Sequence, residues 1–228
     1  MQDVVTLSAD RRRNMVDCQL RTFDVTDLAV LDAVEAVPRE RFIPNADPAV
    51  AYSDAALSIT MGQSRRGMML PMILARLIQA ADLTKDCKVL DIGGATGYSA
   101  AVLSQLAGHV VALESDAAFS AAAASNFAAL GLTNVSTVTG PLESGAKAQG
   151  PYDVILVNGA VEDGLGALCQ QLSPGGRLLV ITRAAGQVGL SGKANRLDRV
   201  GQDVSTRYLF DAAAPVLQGF ERKASFVF

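Results

Sequence analysis

The segment Lys88-Val89-Leu90-Asp91-Ile92-Gly93-Gly94-Ala95-Thr96-Gly97-Tyr98 constrains this chain more than any other. An apolar run ends on an acidic residue, breaks into a glycine-rich turn, and resumes as the helix-forming stretch 98–107. A second apolar run, Val110-Val111-Ala112-Leu113, closes on Glu114. That carboxylate follows the first by roughly twenty residues, the spacing of a βαβ nucleotide site. Gly93 and Gly97 let the backbone turn tightly and approach a ligand, because neither presents a Cβ. Glu114, at the carboxyl end of the second strand, is placed to accept hydrogen bonds from a pair of ribose hydroxyls. The segment predicts a pocket for an adenosine ligand.

Glycine spacing narrows the ligand. Dinucleotide sites use G-x-G-x-x-G, which seats a pyrophosphate on a helix N-terminus. Here the last glycine comes one residue early, and Tyr98 stands where the third would fall. A nicotinamide or flavin site, or a βα turn holding no ligand, is the competing interpretation. Asp91-Ile92-Gly93-Gly94-Ala95-Thr96-Gly97 is instead similar to the first motif of class I S-adenosylmethionine-dependent methyltransferases. That resemblance implies a turn wrapped around the methionine half of the cofactor and Glu114 on its ribose. Ala95 replaces the motif's middle glycine and adds one methyl group to the turn.

The rest of the chain supplies a matching framework. Residues 8–36 read as two helices, the second capped by Thr26 or Asp27 and carrying Leu28, Leu31 and Val34 on one face up to Pro38. A looser segment, Phe42 to Met69, is punctuated by Pro44, Pro48, Gly62 and Gly67. Pro71 then suits the first turn of a helix whose Leu74, Leu77 and Ile78 face a core. From Lys88 onward, strands at 88–92, 109–114, 135–139, 152–157 and 177–182 alternate with helices at about 98–107, 117–130 and 163–172. Ser173-Pro174-Gly175-Gly176 is a tight turn, and 187–211 reads as an antiparallel hairpin around Gly201.

The expected fold is α/β, Rossmann-like and doubly wound. It has a mostly parallel seven-stranded sheet, helices on both faces and an antiparallel C-terminal hairpin. One domain is expected over 1–228, with a helical, acceptor-side segment (1–80), a cofactor-binding core (81–185) and the hairpin (186–228). Ligands in such sheets bind outside the carboxyl ends of the strands, where Asp91, Glu114, Gly140 and Asn158 all fall.

Composition limits the partners. Twenty Lys and Arg against 23 Asp and Glu give a net charge of −3, so no global field draws the chain to nucleic acid or an anionic membrane. No apolar run approaches the roughly eighteen residues of a membrane span. Met1-Gln2-Asp3-Val4 lacks the basic start of a signal peptide. Cys18, Cys87 and Cys169 are scattered and form no C-x-x-C pair, which argues for free thiols in the cytoplasm and against a metal site. The single His109 opens an apolar strand, so no metal or catalytic role is expected of it.

A second set of residues narrows the family. Met15-Val16-Asp17-Cys18-Gln19-Leu20-Arg21, the block Val37-Pro38-Arg39-Glu40-Arg41-Phe42-Ile43-Pro44, Ala51-Tyr52-Ser53-Asp54, Gly62-Gln63 and Pro151-Tyr152-Asp153-Val154 resemble protein-L-isoaspartate O-methyltransferases. The likeness runs from about residue 10 to 182. It implies methyl esterification of the abnormal α-carboxylate of isoaspartyl residues in damaged proteins, with S-adenosyl-L-methionine as cofactor. The cofactor-binding residues expected are Asp91, Gly93, Gly94, Ala95, Thr96, Gly97, Glu114, Ser115, Pro141, Leu142 and Asn158. An attacking carboxylate is already ionised at neutral pH, so the lack of a histidine or carboxylate dyad is no obstacle.

Two departures stand out. The family carries G-Q-T-x-S-Q-P, with its serine near the acceptor, whereas this chain reads Gly62-Gln63-Ser64-Arg65-Arg66-Gly67-Met68-Met69-Leu70-Pro71. The loop is three residues longer, and Met69, which cannot donate a hydrogen bond, falls where the serine should be. Ser64 substitutes only if the loop folds back. Pro141 replaces the aspartate expected to reach the adenine amine, leaving Leu142 to pack on the adenine. The alternatives are therefore a methyltransferase of another carboxylate or small acceptor, with Met68 and Met69 lining its pocket and Arg65 or Arg66 gripping an anion, and a non-catalytic S-adenosylmethionine-binding protein.

Overall fold

The structure, a computed structural model, describes residues 2–44, 47, 49–186 and 189–222, with side chains from residue 6 onward. Met1, Pro48 and Gln187 lie outside the described residues. Helix α1 (Gln2–Met15) runs on through a wider turn, Val16–Leu20, and a tight one, Arg21–Phe23. Asp27 caps α2 (Leu28–Ala36), its carboxylate accepting from the Ala29 and Val30 amides. Of the face expected to be apolar, Leu31 and Val34 are buried, but Leu28 is exposed. As the first helical residue it lies beyond the core, and Val30 and Ala33 complete the buried face instead.

The segment expected to be irregular contains a hairpin. Strands β1 (Leu57–Met61) and β2 (Ser64–Met68) pair antiparallel around Gly62-Gln63, with Gly62 in the left-handed region at φ 59°. A two-residue turn with a left-handed glycine matches the twist of an antiparallel pair. Helix α3 (Pro71–Gln79) follows, with proline at its start as expected.

Strands β3 (Lys88–Ile92), β4 (His109–Glu114) and β5 (Val135–Thr139) have the expected bounds. Helices α4 (Tyr98–Ser104) and α5 (Ala117–Ala129) connect them. Strand β6 runs further than expected, Tyr152–Val161, and β7 starts earlier, Leu172–Thr182. Ser173-Pro174-Gly175-Gly176 is a bulge inside β7, because pairing jumps from Tyr152↔Leu172 to Val154↔Arg177. The helix expected over 163–172 shrinks to α6 (Gly166–Cys169). Gly164 at φ 94° and the longer strands leave no room for more turns. Strands β8 (Ser191–Val200) and β9 (Asp203–Ala213) form the C-terminal hairpin, turning at Gly201-Gln202.

The sheet order is β5-β4-β3-β6-β7-β8-β9, parallel from β5 to β7 and antiparallel beyond. Alternate residues feed two cores, as a pleated strand buried on both faces requires. Val89, Val110, Val154 and Leu179 pack with Leu31, Leu77 and Val102 on one side. Leu90, Val111, Ile155 and Leu178 pack with Leu142, Leu168 and Phe220 on the other. Because β4 and β6 flank β3 on opposite sides, the chain reverses direction across the sheet there. The crevice outside the carboxyl ends of these strands is where such sheets take ligands.

Candidate active site

Asp91 forms the floor of this crevice. It is 1 % exposed and accepts from the Ser99 hydroxyl at 2.6 Å and from the Asn158 amide at 2.7 Å. Asn158 also donates to the Ile92 carbonyl at 3.0 Å, tying β6 to the end of β3. Burial pushes the Asp91 carboxyl up to about 6, while the bonds from Ser99 and Asn158 pull the other way. Above it the turn is built on Gly93 (φ 70°), Ala95 (φ 55°) and Gly97 (φ 97°). A Cβ at Gly94 would stand 2.6 Å from both Asp91 Oδ2 and Ser99 Oγ, so only glycine fits over the buried acid. Thr96 points away from the crevice. Its hydroxyl donates to the Phe42 carbonyl, joining the turn to the Pro38–Pro44 block.

Glu114 forms the wall, 4 % exposed. Its Oε1 accepts from the Ala95 amide at 2.7 Å, and its Oε2 from its neighbour Ser115's amide at 3.1 Å. Desolvation raises its carboxyl above the usual range, opposed chiefly by the charge of Arg66. Arg66 lies on β2, buried at 7 % exposure, and its Nη2 reaches Glu114 Oε2 at 3.2 Å and also donates to Ser115 Oγ. The anion that Arg66 grips in the structure is the chain's own carboxylate.

The hairpin roofs the crevice. Ile59 packs with Ala95 of the glycine turn and Phe119 of α5, with Met61 and Met68 against them. The Ser64 hydroxyl donates to the Asp116 carboxylate, so it is engaged beside α5. Met69 is buried, and its carbonyl accepts from Arg39 Nη2 at 2.9 Å. Arg65 is exposed and bonds to Ser58.

Pro141 precedes a tight turn in which Leu142 is buried, packed in one cluster with Leu217. A Cβ at Gly93 would meet both leucines, at 3.5 and 3.1 Å. Beside the crevice opens a cavity of about 510 Å³, bounded by Ser58, Arg65, Met68, Met69, Asn158 and Leu217 among others. Met68 and Met69 are thus among the residues that bound it.

Three features escaped the sequence reading. Arg39 is fully buried, donating Nε to the Ala51 carbonyl at 3.0 Å and lying 4.6 Å from the Tyr98 ring centroid. Its only signal was an arginine in the Val37–Pro44 block. Pro215 and Leu217 clamp the end of β6 through Ala160, by 2.8 and 3.0 Å backbone bonds, with no signal in a non-repeating tail. The seating of Arg66 on Glu114 had none either.

Residues 11–209 match the family model described as protein-L-isoaspartate(D-aspartate) O-methyltransferase. The chain belongs to this family. A protein-L-isoaspartate O-methyltransferase of Methylorubrum extorquens is 41 % identical over 196 residues, 86 % of this chain and 82 % of that protein. The corresponding enzyme of Koribacter versatilis is 40 % identical over 178 residues, 78 % of each chain. A solved protein-L-isoaspartate O-methyltransferase superposes with a TM-score of 0.82 at 27 % identity, over 92 % of this chain and 67 % of that one. A second solved structure, from Plasmodium falciparum and in complex with S-adenosyl-L-homocysteine, has a TM-score of 0.74 at 16 % identity, over 91 % of this chain and 98 % of that one. At that identity it shows the shared fold. In this member of the family Met69 and Arg66 are both buried beside the crevice.

Proposed function

We propose that Asp91, the backbone of Gly93–Gly97, Glu114, Ser115, Pro141, Leu142 and Asn158 hold S-adenosylmethionine, and that the adjoining cavity receives an isoaspartyl residue of a damaged protein. The family reaction is S-adenosylmethionine-dependent methyl esterification of that residue's carboxylate, and the chain is an enzyme of this kind. One observation carries the site assignment. Two buried carboxylates, Asp91 and Glu114, flank a glycine turn at adjacent strand ends, and Asn158 joins that turn to a roomy cavity. Those residues fit a donor that carries a ribose and a cationic amino-acid half. Thr96 takes part through its backbone, because its side-chain hydroxyl is bonded to the Phe42 carbonyl.

The donor supplies a methyl group already activated on a sulfonium. The chain then has to align the acceptor oxygen and exclude water, and no general base is required. Ser64, engaged by Asp116, and Met69, with no donor, leave the acceptor carboxylate to other groups. We assign that role to Arg65, whose exposed guanidinium sits at the rim of the cavity beside Ser58. Among the described residues no helix is long and apolar enough to cross a membrane. We read the protein as cytoplasmic, in keeping with three free cysteines and intracellular protein repair.

The test is methyl transfer from labelled donor to an isoaspartyl peptide and to its normal aspartyl twin. Transfer to the first alone is expected, and equal labelling of both would defeat the substrate assignment. Glu114→Ala should weaken donor binding by about 1–3 kcal/mol. An unchanged dissociation constant would remove Glu114 from the site.

A further inference from the structure

We propose that Arg66 sets the affinity of this chain for its methyl donor, by acting as an internal ligand of Glu114 in the place a ribose would take. The inference rests on the assignment of Glu114 as the ribose-holding carboxylate. Glu114 Oε2 accepts from three donors, Arg66 Nε at 3.3 Å, Arg66 Nη2 at 3.2 Å and the Ser115 amide at 3.1 Å. Oε1 is taken by the Ala95 amide. The same Arg66 Nη2 also occupies the Ser115 hydroxyl. A sugar diol and this guanidinium therefore compete for one carboxylate edge.

Arg66 is not a loose surface side chain that drifts aside. Its guanidinium lies 5.7 Å from the Phe119 ring centroid, and it is carried by a hairpin strand. Ile59 of the partner strand packs on Ala95 and Phe119, and Ser64 anchors the hairpin tip to Asp116. Freeing Glu114 thus involves the whole β1–β2 roof. A buried ion pair resists losing one partner, because an uncompensated charge remains. A donor that brings its own hydrogen bonds relieves that cost at Glu114. The apparent affinity is then the intrinsic one reduced by the fraction of molecules whose roof is open.

Titration of the full chain with S-adenosylhomocysteine, by calorimetry and by stopped-flow fluorescence of a labelled analogue, tests this. The variants are Arg66→Gln, Ser64→Ala and Glu114→Gln. Arg66→Gln should bind about tenfold tighter or more, mostly through faster association. Ser64→Ala should change in the same direction by less, and Glu114→Gln should bind more weakly. If Arg66→Gln binds equally or more weakly while Glu114→Gln loses affinity, the internal-ligand inference falls and the ribose assignment stands. If Glu114→Gln binds as the wild type does, the ribose assignment itself falls. Should Arg66→Gln fail to give a cooperative melt, Ser64→Ala and Ile59→Ala decide the matter with the same signs.

Discussion

Asp91 on the floor of the crevice and Glu114 on its wall are both buried acids, on the neighbouring parallel strands β3 and β4. They are stabilised by different parts of the molecule. Asp91 takes neutral donors from α4 and β6, the hydroxyl of Ser99 and the amide of Asn158. Glu114 takes a cation from a hairpin 48 residues upstream. Neutral donors offset desolvation only in part, and the Asp91 carboxyl sits at about 6. A guanidinium opposes the same desolvation at Glu114. The floor is set by the sheet and its first helix, whereas the wall depends on a covering element. Rigidity and access are thereby divided between two regions of one site.

The sharpest way to break this comparison is at the floor. Gly97→Ala would place a Cβ 2.5 Å from Phe127 Cζ, at a φ of 97° that disfavours any side chain. Overpacking and left-handed strain together should destabilise the protein by about 3 kcal/mol or more, read as a lower urea midpoint. A variant as stable as the wild type would mean the turn adapts freely and the floor is not rigid.

The next effect is titration of Asp91. Its folded value, about 6, lies above the ordinary 3.8. The folded state therefore holds the proton more tightly than the unfolded chain. That contribution is complete below pH 3.8 and is lost as pH rises through about 6, for a change of about 3 kcal/mol. Asp91→Asn should flatten the pH dependence of stability across that window. It leaves one of two donors short of an acceptor, at about 1–2 kcal/mol independent of pH. Donor binding should run the other way, strengthening as Asp91 ionises, because the donor is cationic. A wild-type chain whose urea midpoint is flat from pH 4 to 7 would show that Asp91 titrates normally.

The two regions also differ in how far the sequence discloses them. Strands β3, β4 and β5 appear at the expected residues because each short apolar or β-branched run is bounded by residues that break it, such as Gly93 and Gly140. Strands β6 and β7 outrun the expectation. Asn158-Gly159 reads as a strand end, yet Ala160 pairs with Ile181 of β7 and bridges Val216 on its other side, so the strand continues. The second strand of the hairpin, β2, was hidden for a physical reason. Ser64-Arg65-Arg66-Gly67-Met68 has no apolar alternation, and its one fully buried side chain is an arginine. Burial of a guanidinium is decided by a counter-charge distant in sequence, which no local pattern encodes. The acid pair of the site was legible because it closes strands, and the cation that covers it was not.

Ala95 is where floor and roof meet, and it should give the smallest effect. The residue is held at φ 55°, a conformation that costs an alanine about 1 kcal/mol. Its methyl group is buried against Ile59 and Phe119, which returns a similar amount. Ala95→Gly relieves the strain, loses the contact and adds freedom to the unfolded chain. The net change in unfolding free energy should stay within about 1 kcal/mol of zero. The Ala95 amide would still reach Glu114, since the turn keeps its shape. Hydrogen exchange at 57–68 should nevertheless quicken, because the lost methyl belongs to the surface on which the hairpin rests. A large gain in stability without faster exchange would mean that strain in the turn outweighs the roof contact, and that floor and roof are not coupled through this residue.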